Sequence, residues 1–165
     1  MASRKGIGIT MAILAGVVIA SFVVYLIPED TTMKIIVSDF EKYLDVTKEK
    51  TSMEVTSIDE SFEKLMEKKT SPDEYIRIAE VSSSQINSLI IELTNSGAAQ
   101  EWYDSYANYI GALIKLNEKI TETIVVANLM SGDSNSNSIN EIIAKIHQLE
   151  TESLDLMKKS DNTRP

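Results

Sequence analysis

The sequence predicts an all-α protein in which an N-terminal transmembrane helix is followed by an antiparallel bundle of three to four long helices. Residues 6–27 contain no charged side chain, and the rest of the chain has few helix breakers. Its apolar residues also recur at alternating spacings of three and four positions, which places them on one face of a helix. The 165 residues therefore divide into a segment of residues 1–28 and one domain of residues 29–165.

The N-terminal segment has the length and composition of a membrane span. Residues 6–27 read GIGITMAILAGVVIASFVVYLI, and as a helix they would be roughly 33 Å long, against a hydrocarbon core of about 30 Å. Arg4 and Lys5 precede this run, and Glu29 and Asp30 follow it. The positive-inside rule then predicts a single-pass protein of the cell membrane, with a cytoplasmic N-terminus and an extracellular C-terminal domain.

Two fates of this segment fit the residues. An uncleaved signal anchor would hold the domain on the bilayer through residues 6–27. A cleaved signal peptide is the alternative, because Val18 and Ala20 are small residues at a spacing that suits cleavage. The apolar run continues past Ala20 and exceeds the usual hydrophobic region of about 7–15 residues, which favours the anchor.

Two resemblances concern the same segment. The residues Arg4-Lys5-Gly6-Ile7, followed by a long apolar helix, resemble the processing site of archaeal type IV prepilins, which implies a pilin-like filament subunit. Pilin heads are usually rich in β-structure, however, and this domain is predicted to be helical. The opening MASRKGIGITMAILAG is similar to small uncharacterised single-pass membrane proteins of ammonia-oxidising archaea. That resemblance covers the N-terminal segment and implies a compartment only.

Charge and cysteine content exclude several function classes. Residues 29–165 contain all 25 acidic residues and 14 of the 16 basic ones, a net charge of −11. Nucleic acid is therefore not expected as a partner, since binding phosphates requires clustered Lys and Arg. The chain has no cysteine, which excludes thiol chemistry, thiolate zinc sites and iron–sulfur clusters.

The first outer stretch, from Met33 to Leu65, predicts one helix of nearly forty residues or two helices joined near residues 50–52. Threonines stand at the junction where large apolar residues are expected. A single long helix could also continue the membrane helix as a stalk beyond Pro28.

Residues that commonly cap helix ends predict the boundaries of the other helices. Ser71-Pro72-Asp73-Glu74 forms a capping box that begins the second outer helix, and Gly97 ends it in the left-handed conformation. The third helix is expected from about Ala98 to Met130. Ser138 and Glu141 form a second capping box for the last helix, which is expected to fray over residues 160–165.

The candidate contact site is an aromatic cluster. It holds four of the ten aromatic residues of the chain within eight positions: Trp102, Tyr103, Tyr106 and Tyr109. Positions 102, 106 and 109 share one helix face, so packing in the core is one interpretation. The other is an aromatic wall for a small ligand or a partner helix, with Tyr103, off the shared face, as the exposed member.

Catalysis is not expected. His147 is the only histidine, with Glu150 three residues on, and the paired Glu-x-x-His motifs of di-iron bundles are missing. We therefore expect no metal and no cofactor. The leading hypothesis is a structural or accessory subunit whose outer domain contacts another envelope or membrane protein. The alternatives are an extracytoplasmic module that binds or senses a small ligand, and the pilin-like filament subunit.

Overall fold

The computed structural model describes residue 37 and residues 39–132 and 136–165. These residues form four α-helices: α1 (Phe40–Met66), α2 (Pro72–Asn95), α3 (Tyr103–Met130) and α4 (Ser136–Asn162). A 3₁₀ turn, Gln100–Trp102, precedes α3. Within the described ranges there is no strand, so the prediction that the domain after the N-terminal segment is all-helical is confirmed for these residues.

The predicted membrane span, residues 6–27, lies outside the described residues. None of the helices in the described part of the chain combines the length and the apolar character that a bilayer span requires.

The helix directions follow from side-chain pairs that join early residues of one helix to late residues of the next. The pairs are Phe62–Tyr75 for α1 and α2, Tyr75–Thr123 for α2 and α3, and Ser105–Ser160 and Glu122–Lys145 for α3 and α4. Consecutive helices are therefore antiparallel, as predicted. α3 packs against the three other helices and is the centre of the domain.

Helix α1 is continuous across residues 50–52, which settles the alternative of one helix or two. Thr47 and Thr51 are buried, and each hydroxyl donates to the carbonyl oxygen four residues earlier, at 2.8 Å. The threonines thus satisfy their polar groups within the helix instead of breaking it.

The predicted stalk is wrong at its junction with α1. Val37 is not helical, and Asp39 has an extended backbone and caps the helix by accepting a hydrogen bond from the Lys42 amide at 2.9 Å. A side-chain cap of this kind satisfies amide groups that a continuing helix would already have paired. The helix therefore begins at Phe40.

Helix α1 ends in a Schellman motif with lysine at the left-handed position. The Lys68 amide donates to Leu65 at 2.9 Å, the Lys69 amide donates to Lys64 at 2.8 Å, and Lys68 has φ of 60°. Glycine is the usual residue there, because a Cβ atom is strained at positive φ. Nothing in the sequence marks Lys68 for this conformation.

Replacing Lys68 by glycine is expected to raise the free energy of unfolding by about 0.5–1 kcal/mol, because it removes the strain of a left-handed side-chain residue. Denaturant unfolding of the full chain in nonionic micelles measures the change. Lys69→Gly is the matched control and should bring no gain, since Lys69 is not at positive φ. Equal effects of the two substitutions would contradict the explanation.

The other helix ends agree with the predicted capping residues in part. Ser71 Oγ accepts from the Glu74 amide at 3.2 Å, and Gly97 has φ of 62°, as predicted. The second capping box is wrong, because α4 already begins at Ser136 and Ser138 lies inside it. The predicted fraying is also wrong, since α4 continues to Asn162 and Ser160 is fully buried.

The core lies around α3 and is built from large apolar side chains of α1, α2 and α3. Fully buried members include Leu44, Leu65, Tyr75, Ile86 and Leu113. The contact between α3 and α4 is different, because small residues take part in it alongside the buried Ile146 and Leu149 of α4. Ser105 donates to the Ser160 carbonyl at 2.8 Å, and Ser153 donates to the Ala112 carbonyl at 3.0 Å. Hydroxyls that reach the opposite main chain bring these two helices close together.

Candidate functional site

The structure separates the four predicted aromatic residues into different environments. Tyr106 and Tyr109 are buried, Trp102 is half-buried, and Tyr103 is 66% exposed. Trp102 and Phe40 each contact the Tyr106 ring edge-on, with ring centroids 6.4 and 6.0 Å away. The cluster around Tyr106 is therefore packed as core, and Tyr103 is its most accessible member. Contact of these residues with a ligand or partner stays a prediction.

The buried tyrosines have shifted acidities. Burial raises the pKa of Tyr109 to about 12, with a hydrogen bond to Thr51 acting in the opposite direction. Burial likewise raises the pKa of Tyr106 to about 12, and it also raises the pKa of Tyr75. Each phenol is thus held neutral by the folded domain.

Alkaline unfolding is the expected consequence. The folded-state pKa values lie above the unfolded value of about 10, so the stability that these phenols contribute is fully present below pH 10. It is lost as the pH rises through about 12. The part of the phenolate absorbance that comes from the buried tyrosines should appear together with the loss of far-ultraviolet circular dichroism of the full chain, in one transition above pH 10. Titration of all tyrosines near pH 10 without loss of helix would contradict this.

A groove lies between α1 and α4, which we call the α1–α4 groove. The two helices have no extended packing against each other, although both pack against α3. A cavity of about 250 Å³ lies between them. Its lining residues are Lys48, Thr51, Ser52, Val55, Tyr109, Leu116, Lys119, Glu150, Ser153, Leu154, Met157 and Asp161.

One end of the groove is closed by ion pairs that we call the Lys48 bridge. The Lys48 ammonium of α1 pairs with Asp161 of α4 and lies 5.3 Å from the centroid of the Tyr109 ring. Arg164 contacts Asp45 at 2.7 Å and Asp161 at 3.1 Å. The hydrogen bond from Lys48 is the main cause that lowers the pKa of Asp161. The C-terminal residues are thereby tied to α1.

The other end is closed by the Lys119 bridge. The Lys119 ammonium, on α3, lies 2.8 Å from Asp59 of α1 and 3.4 Å from Glu150 of α4. Its side chain is 7% exposed, whereas the two carboxylates are about 40% exposed. A buried lysine is stable only when paired in this way. The bridge joins three helices at one charged atom.

The interior between the bridges is mainly apolar. Lys48 and Asp59 are eleven residues apart on α1, which makes the groove roughly 16 Å long at the helical rise. Val55, Leu154 and Met157 form its walls, and Leu116 and Tyr109 form its floor. Hydroxyl groups of Thr51 and Ser153 also line it, but both donate to main-chain carbonyls. The groove thus offers apolar surface between two charged ends.

His147 lies on the surface. Its side chain is 72% exposed, and its Nδ1 atom is 3.7 Å from Glu150. Across residues 39–132 and 136–165, no group of three or more His, Cys, Asp and Glu side chains has an arrangement that could hold a metal ion.

Sequence reasoning found one residue of the groove, Tyr109, and missed the groove itself. Lys119 was the available signal, because it stands three residues after Leu116 and four before Thr123, on the buried face of α3. A lysine at such a position requires carboxylates from neighbouring helices. Which carboxylates pair with Lys119 depends on how α1 and α4 pack. The spacing of apolar residues does not determine that packing.

Comparison with protein-family models, with curated proteins and with solved structures finds no match to this chain.

Proposed function

We propose that this chain is a membrane-anchored accessory subunit without catalytic activity, whose extracytoplasmic helical domain binds another membrane or envelope protein through the α1–α4 groove. The observation that carries the proposal is the groove itself, where two neighbouring helices leave apolar side chains accessible. Leu154, on its wall, is 50% exposed. Accessible apolar surface framed by polar residues is typical of protein contact sites.

The charge of the domain indicates the kind of partner. Acidic residues at the groove margins outnumber basic ones: Asp45, Asp59, Glu150 and Asp161 against Lys48, Lys119 and Arg164. The whole of residues 29–165 carries net charge −11. Electrostatic complementarity then favours a partner that presents an apolar ridge flanked by Lys and Arg.

The N-terminal segment supports the membrane part of the proposal. Its 22 uncharged residues, with Arg4 and Lys5 before them and Glu29 after Pro28, fit an anchor that leaves the domain outside the cell. Mass spectrometry of the mature N-terminus tests this directly. An intact start at residue 1 or 2 is expected, whereas a start at Gly6 or Ile7 would support a pilin-like subunit instead.

Crosslinking in native membranes tests the partner. The full chain, crosslinked and purified, should be recovered with one stoichiometric membrane or envelope protein, and its yield should fall as salt is raised before crosslinking. Leu154→Lys should abolish the complex by placing charge on the groove wall. Ile91→Lys is the matched control, because Ile91 is 45% exposed on α2 and does not line the groove. Recovery of the chain only as a free monomer would overturn the proposal.

A small-ligand module is the second candidate, favoured by the enclosed part of the groove. Its volume of about 250 Å³ is close to the lower end of ligand pockets, about 300–1,000 Å³. Tyr109 provides an aromatic floor there. Thermal unfolding of the full chain against a metabolite panel would reveal a ligand as a stabilisation that Leu154→Lys removes and Ile91→Lys retains. No stabilisation by any compound would leave this candidate without support.

A further inference from the structure

We propose that the width of the α1–α4 groove is limited by charge, so that α1 moves away from α4 when the Lys48 and Lys119 bridges are weakened. This property belongs to the chain alone and is measurable without a partner. It goes beyond the proposed function, because it concerns how the groove changes width and not what occupies it.

Helix α1 packs less extensively against α2 and α3 than α4 packs against α3. Five of its 27 residues are buried, and two of these are threonines. By comparison, α3 has twelve buried residues of 28. Because burial of large apolar side chains is the dominant stabilising contribution, α1 has little of it to hold its groove-facing side in place. Elements with few buried apolar contacts are the ones that open locally.

The contact of α4 with α3 is of another kind. Ser105, Ala112, Ser153 and Ser160 bring the two main chains together, and Leu156 lies 3.5 Å from where a Cβ of Gly111 would stand. Ion pairs of Lys115 with Glu152 and of Lys145 with Glu122 add to this packing. The α3–α4 unit therefore has close packing and ion pairs, whereas α1 and α4 are joined by ion pairs without extended packing.

The two bridges respond differently to salt. Lys48 and Asp161 are 21% and 55% exposed, so about 1 M salt, with a screening length of roughly 3 Å, weakens this pair strongly. Lys119 is buried and is screened less. Its removal by substitution leaves Asp59 and Glu150 free to become hydrated. Screening thus weakens one end of the groove, and substitution at Lys119 releases the other.

Helix separation can be measured between two spin labels, since the chain has no native cysteine to interfere. Met53→Cys on α1 and Lys159→Cys on α4 are both at exposed positions. Their separation in the full chain, in nonionic micelles, reports the width of the groove. Val81→Cys on α2 with Lys159→Cys is the control pair, because Val81 is exposed and α2 supplies no residue of either bridge.

A longer-distance population is expected for the 53–159 pair in Lys119→Met and in the unsubstituted background at about 1 M NaCl, and it should be largest when the two are combined. The 81–159 pair should not change. Lys115→Met is the matched variant, because Lys115 pairs with Glu118 and Glu152 and not with α1. It should leave both distances as they are.

Unchanged 53–159 distances in Lys119→Met at high salt would overturn the proposal, and so would equal lengthening in Lys115→Met. If Lys119→Met fails to fold, which the control pair would reveal, the salt dependence of the background protein decides. An invariant 53–159 distance across the salt titration would then refute the proposal that the ion pairs limit the width of the groove.

Discussion

Replacing Tyr75 by alanine is expected to lower the free energy of unfolding by about 3–5 kcal/mol, the cost of deleting a large buried aromatic side chain. Tyr75 is fully buried near the start of α2. Its ring contacts Phe62 of α1 at a centroid distance of 5.7 Å, and its hydroxyl contacts Thr123 of α3 at 2.5 Å. Loss of the Tyr75 side chain would therefore remove contacts among three helices.

Tyr75→Phe separates the ring from the hydroxyl. Thr123 Oγ1 also donates to the Ile120 carbonyl at 2.6 Å, so it keeps a partner when the phenol is removed. The expected cost is about 1 kcal/mol, that of one hydrogen bond between neutral groups. Denaturant unfolding of the full chain in nonionic micelles measures both variants. Tyr103→Ala, at an exposed position, is the control, and a loss at Tyr75 no larger than at Tyr103 would contradict the proposed core.

Replacing Ser160 by leucine is expected to lower the free energy of unfolding by about 3 kcal/mol, at the upper end for overpacking. Ser160 is fully buried, and its Oγ is 3.2 Å from Ser105 Oγ on α3. Because the Ser160 carbonyl accepts directly from Ser105, the two main chains leave no room for three further carbon atoms.

Ser160→Ala is the informative companion, since it removes the hydroxyl without adding volume. Ser105 would still donate to the Ser160 carbonyl, so the expected loss is under about 1 kcal/mol. Lys159→Leu, next in the chain and exposed, should change stability little. Thermal unfolding followed by circular dichroism ranks the three. A mild Ser160→Leu variant would show that α4 frays there, as the composition of residues 160–165 predicts.

Much of the fold could be predicted, because the signals for it are local. Ser71 and Gly97 are at helix ends, where a side-chain cap and a left-handed backbone each favour particular residue types. The spacing of apolar residues likewise identified α1, α2 and most of α3. The same reasoning was ambiguous at Thr47 and Thr51, since β-branched polar residues weaken an apolar stripe whether or not the helix continues.

The incorrect prediction at the C-terminus has its physical origin in tertiary contact between residues distant in sequence. Ser160 remains helical because it packs against Ser105, fifty-five positions away. Arg164 is held by Asp45, although the C-terminal sequence is polar and predicts fraying. Local preferences of about 1 kcal/mol are overridden by such packing.

For the candidate site too, local signals could be predicted from the sequence and contacts between distant residues could not. Aromatic content identified the cluster from Trp102 to Tyr109, of which Tyr106 packs inward and Tyr109 forms the floor of the α1–α4 groove. The groove itself depends on where α1 and α4 are placed over α3. Lys119 is the residue that most clearly indicates the groove in the sequence. Only the structure identifies Asp59 and Glu150 as the partners of Lys119.

The most direct test of an accessory subunit with the groove as its contact surface is site-specific photocrosslinking in native membranes. A photoreactive side chain at Leu154 lies on the groove wall, and one at Ile91 is similarly exposed on α2. We predict that the probe at position 154 crosslinks one defined protein, that this adduct disappears with rising salt, and that the probe at position 91 gives no such adduct. The same adduct from both positions, or none from position 154, would contradict the account.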